Sequence, residues 1–73
     1  MGFRYGVQVR VDDDIHEVGG FDDAAAAATA AHVEASHFGG LAHPRTALHE
    51  AISSGQSEVV LRDGGPRITV LVH

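Results

Sequence analysis

Six histidines, His16, His32, His37, His43, His49 and His73, are the residues best suited to chemistry in a 73-residue chain that has no cysteine. Imidazole ligates zinc-like ions and moves protons near neutral pH. The stretch His32-Val-Glu-Ala-Ser-His37 holds two of them around a glutamate. It differs from the HExxH pattern, in which i, i+4 spacing sets both imidazoles on one helical face. Here the spacing is i, i+5, which turns the two rings about 140° apart on a helix of 3.6 residues per turn. One ion would require the following loop to bring His37 or His43 back towards His32 or His49. The expectation is solvent-facing histidines at helix ends, where positive imidazole suits the dipole. A small ligand- or metal-binding protein built on these histidines is the alternative. No metal site and no cofactor are assigned.

The other candidate groups read as structural. Ser36, Ser53, Ser54 and Ser57 fall at expected helix ends or turns, where hydroxyls bond nearby backbone. There is no G-x-S-x-G elbow, so no catalytic residue is named and the chain is read as a non-enzyme. The glycine pairs 19–20, 39–40 and 64–65 lack the G-x-x-x-x-G-K phosphate loop, and the chain has no lysine. The acids at 12–14 lack the spaced ligands of a calcium loop and read as a turn. Arg4 and Arg10 lie on the wet side of the first strand and Arg45 opens the second helix. They are the possible nucleic-acid contacts, a weak-binder alternative to which the net charge of −5 is opposed.

The elements that must position these groups follow from periodicity. Residues 3–11, Phe-Arg-Tyr-Gly-Val-Gln-Val-Arg-Val, alternate strictly, with Phe3, Tyr5, Val7, Val9 and Val11 on one face. This is a strand with one buried and one wet side. Residues 15–18 return as a short second strand that Gly19 and Gly20 break. A helix follows from Asp22 as N-cap, with Phe21 at N′ as a hydrophobic staple and the alanine run 24–28 favouring helix. Residues 37–43 form a loop. A helix over 44–54 has Pro44 in its first turn and Gly55 just past its end. Strands at 58–62 and 67–72 flank an Asp-Gly-Gly-Pro turn, and the second is apolar on both sides at Leu71, as a central or partner-covered strand would be. The sum is an α+β domain of order β(β)ααββ, a small antiparallel sheet with two helices on one face.

So short a chain forms one domain, 1–73, and buries only about 60% of its unfolded surface. Of its apolar residues eleven are alanines, each burying little area. Without disulfides, oligomerisation is the expected compensation. The alanine helix face or the closing hairpin would be buried between subunits, with Val70, Leu71 and Val72 as the interaction surface. No run is long enough to span a membrane and the first residues lack a signal-peptide core, which implies a cytoplasmic protein with no membrane partner.

Residues 47–72, ALHEAISSGQSEVVLRDGGPRITVLV, resemble the core of the prevent-host-death antitoxins. The matching pieces are the amphipathic LHEAI, the break SSG, the strand EVVL, the turn RDGGP and the closing ITVLV. The resemblance implies a dimerising α+β core in a protein that binds operator DNA and a toxin. The N-terminal strand and alanine helix depart from the family pattern, and the sequence stops at Val72–His73 where the family carries a toxin-wrapping tail. The reading is a non-enzymatic, homo-oligomeric protein-interaction module, antitoxin-like or regulatory, with a protein partner.

Overall fold

The computed structural model describes residues 3–73. The alternating N-terminal run forms β1 (Tyr5–Val11), and a two-residue turn at Asp12 and Asp13 returns it as β2 (Asp14–Phe21). Asp12 has a φ of 53°, left-handed backbone that aspartate tolerates better than most residues. Gly19 and Gly20 do not break β2, as the sequence implied. The strand runs through them with Val18 as an extra bulged residue, because Val7 pairs Gly19 while Gln8 pairs Glu17. A Cβ on Gly20 would run into the Phe3 ring, which lies over that glycine.

The alanine run forms α1 (Ala24–Ser36). Its N-cap is Asp23, one residue later than the sequence suggested, and the Asp23 carboxylate accepts from the Ala26 amide at 2.7 Å. Phe21 therefore ends β2 and is no staple. The second helix, α2 (Arg45–Ser53), has Pro44 at the N-cap position, just outside its first turn. Its end is a Schellman motif. Gly55 has a φ of 90° and donates to Ile52, and Gln56 donates to Ala51. The closing hairpin is β3 (Glu58–Arg62) and β4 (Ile68–Val72), with Gly64 and Gly65 at positive φ between them.

The four strands order as β2-β1-β4-β3, every neighbour antiparallel. This is the expected α+β architecture, and β4 is central. Val7, Val9, Leu61, Ile68 and Val70 form the sheet's share of the core. Ala27, Ala28, Ala31 and Ala35 come from α1, and Leu48 and Ile52 from α2. α1 lies over β1 and β2 and reaches β4, while α2 packs beside α1. Alanine's short side chain lets α1 sit close to the sheet, and the core is correspondingly thin.

Candidate interaction surface

Residues directly opposite across a strand pair share a face. The register therefore defines two rows on the side away from the helices: Ile15–Arg10–Thr69–Val60 and Glu17–Gln8–Leu71–Glu58. Neither helix covers these rows. Gln8 donates to the Glu17 carboxylate, and His73 Nε2 donates to Gln8 Oε1 at 3.2 Å. Arg10 on β1 reaches Glu58 on β3 at 3.9 Å, so its side chain must arch over β4. That arch explains why Thr69, on the uncovered face, is only 1% exposed, and its buried hydroxyl has no hydrogen-bond partner. Phe3 and Ile15 lie on the same side, 59% and 57% exposed. Among the described residues only Val33, on α1, is a third large apolar side chain exposed to that degree.

The anticipated interaction residues divide. Val70 is fully buried in the chain's own core, so a partner cannot reach it. Val72 pairs Val7 on the helix side and is half-buried against the core. Leu71 alone faces outward, half-buried in the second row. The alanine face is likewise taken, since α1 turns it onto its own sheet and onto α2. Period-two alternation across ITVLV was the signal that Val70 and Val72 point inward.

The arginines do not gather. Arg10 pairs with Glu58 on the uncovered face, whereas Arg45 begins α2 in the helix layer and Arg4 is exposed ahead of β1. Arg62 works internally: Nη1 donates to the Gly40 carbonyl at 2.7 Å and Nη2 to that of Gly65 at 3.0 Å. This ties the loop after α1 to the β3–β4 turn. Arg67 approaches Asp63 at 4.0 Å. Sequence reasoning placed Arg62 only as a flank of the turn, because its partners are backbone carbonyls that no residue type announces.

The loop does bring His43 back to His32, but through backbone. His32 Nε2 donates to the His43 carbonyl at 3.0 Å, which fixes the proton on that nitrogen. His16 stacks on Phe38 with ring centroids 4.7 Å apart. Among the described residues no three His, Asp or Glu side chains come together as a metal ion would need. Ser36 and Ser54 donate to the carbonyls of Val33 and Ala51, the local turn bonding their positions implied. No helix of the described residues is long and apolar enough to cross a membrane.

A second feature lies at the β3 edge. A groove of about 340 Å³ runs between α2 and β3, lined by apolar Ala47, Leu48, Ala51, Val59 and Val60 and by polar His43, Gln56 and Glu58. The Ala42 amide donates to the Leu61 carbonyl at 2.8 Å and closes the C-terminal end of that edge. No protein-family model matches the chain, and no curated protein or solved structure matches it either.

Proposed function

We propose that the protein is a non-enzymatic, homo-oligomeric protein-interaction module, acting in the cytoplasm and presenting its uncovered sheet face to a protein partner. The observation that carries this reading is the one-sided sheet. Both helices lie on one face, and the other exposes Phe3 and Ile15 beside half-buried Leu71 and Val60. An antiparallel sheet can leave one face to water, but such a face is then polar along its length. This one mixes charged and apolar side chains, with Ile15 and Val60 on the two edge strands and Leu71 on a central one. The residues 47–72 run helix, break, hairpin, in the order the antitoxin resemblance implies. We read the regulatory role as one of partner binding through this core.

The test is a paired substitution on the face. Ile15→Glu with Leu71→Lys changes no core residue and sets each new charge opposite its complement, Arg10 and Glu58, so it should leave the circular dichroism spectrum nearly unchanged and shift stability by about 0.5 kcal/mol or less. Pull-down from the native host with the unaltered protein, followed by the same experiment with the variant, should show specific partners lost. Identical partners in both would overturn the assignment of this face.

A further inference from the structure

We propose that the β3 edge is where two copies of this chain join, antiparallel and centred on Val59, to make one eight-stranded sheet. The inference deepens the homo-oligomeric reading above by naming the surface. Val72 donates to the Ser57 carbonyl at 2.8 Å, so Ser57 turns its backbone towards β4. Alternation in an antiparallel pair then turns Val59 inward and leaves the amide and carbonyl of Glu58 and Val60 facing away from the sheet. Among the described residues these groups form a free strand edge beside the mixed polar and apolar groove under α2.

A second copy fits this edge in one register. With Val59 opposite Val59 of the other copy, Glu58 and Val60 exchange backbone hydrogen bonds with Val60 and Glu58 of that copy. The two Val59 side chains then meet on the helix side, roughly 4.5 Å apart at Cα, where each closes the open end of the other's groove. Ala42, already bonded to Leu61, blocks further pairing and prevents the added strand from sliding.

Charge selects the same edge. Residues 41–62, which contain α2 and β3, hold two arginines, Arg45 and Arg62, against two glutamates, Glu50 and Glu58, a formal balance of zero in a chain of net −5. The opposite edge, β2, carries or adjoins Asp12, Asp13, Asp14, Glu17, Asp22 and Asp23, and has the bulge at Val18. Acids and bulges are the devices by which edges refuse partners. Two acidic copies meeting at β3 keep those clusters at the far ends of the joint sheet. The union also narrows a shortfall of area, bringing the outer face to roughly 640 Å². Four strands about 4.8 Å apart and some five residues long present roughly 320 Å², well short of the about 800 Å² per partner of a stable complex. Joining two sheets doubles the continuous outer face.

Three measurements decide it: mass in solution by light scattering from micromolar to millimolar concentration, the same for Val60→Pro and Ile15→Lys, and amide hydrogen exchange of the unaltered protein across that range. The expected result is a dimer that Ile15→Lys keeps and Val60→Pro weakens by about a hundredfold, since proline removes an edge donor from each copy. Exchange at the Glu58 and Val60 amides should slow as concentration rises. A dimer that survives Val60→Pro, or one in which those two amides exchange at the same rate at every concentration, overturns the β3 edge and leaves the homo-oligomeric reading standing. A monomer throughout the range overturns both. Should Val60→Pro fail to fold, the exchange of the unaltered protein gives the answer alone.

Discussion

Asp12, Asp23 and Arg62 each do something that a generic surface residue does not. The Asp12 amide donates to the Arg67 carbonyl at 2.8 Å and its carboxylate accepts from the Arg67 amide at 3.0 Å, so one turn residue holds the start of β4 against the end of β1. Asp12→Ala loses that acceptor and places a Cβ-bearing residue without aspartate's tolerance at a φ of 53°. It should cost about 1–3 kcal/mol by urea unfolding, and Asp12→Asn, which keeps an oxygen acceptor and tolerates this backbone, distinctly less. Asp23→Ala should cost about 1 kcal/mol, while the same change at the neighbouring Asp22 should cost only a few tenths, because Asp23 alone caps α1. The sequence pointed to Asp22, because Phe21 then sat at the staple position, but β2 runs through Phe21 and the cap falls on Asp23. Arg62→Lys should speed amide exchange across residues 37–43, since one ammonium cannot match a planar fork that spans Gly40 and Gly65. Unchanged exchange there would mean the loop is held by other contacts.

Strict alternation made β1 readable from Tyr5 to Val11, although Phe3, expected on the same face, lies ahead of the strand with its ring over Gly6 and Gly20 on the other side. Gly55, Gly64 and Gly65 announced the end of α2 and the last turn through the positive φ each supplies. The length of β2 was not readable, because Gly-Gly usually interrupts a strand and here instead accommodates a bulge and the Phe3 ring. Nor could local pattern show that α1 turns its alanines onto its own sheet, since a face of alanines has nearly the same hydropathy all round. The thinness of that layer has a measurable consequence. Ala31→Leu forces extra volume between α1 and the sheet and should cost about 1–3 kcal/mol. Truncation at the larger core positions, Ile52→Ala or Leu61→Ala, should cost about 2–5 kcal/mol and leave the protein poorly folded at room temperature. Both are read by thermal unfolding followed at the helical signal. The candidate face was legible only in part: Leu71 stood out as the apolar residue on the wrong side of β4, but Ile15 and Phe3 acquired meaning only when the register placed them beside it.

Taken whole, the molecule is an acidic body with one neutral side. Self-association through that side should tighten with salt, because screening removes the repulsion between two copies of net charge −5 while the backbone bonds at the joint are untouched. Sedimentation at low and high sodium chloride checks this; an association that weakens with salt would point to a contact made by ion pairs instead. The strand order has a further effect, on time. The middle of the sheet is the pairing of β1 with β4, where Val9 meets Val70 and Gly6 and His73 exchange backbone bonds, so the two partners lie at opposite ends of the described chain. Closing so long a loop delays the reward of its contacts. During synthesis the first hairpin and both helices leave the ribosome before the strand that completes their floor exists. A nascent chain arrested with residue 67 just outside the exit tunnel should be digested as readily as an unfolded one, and protection should arrive in a single step once Ile68–Val72 has emerged.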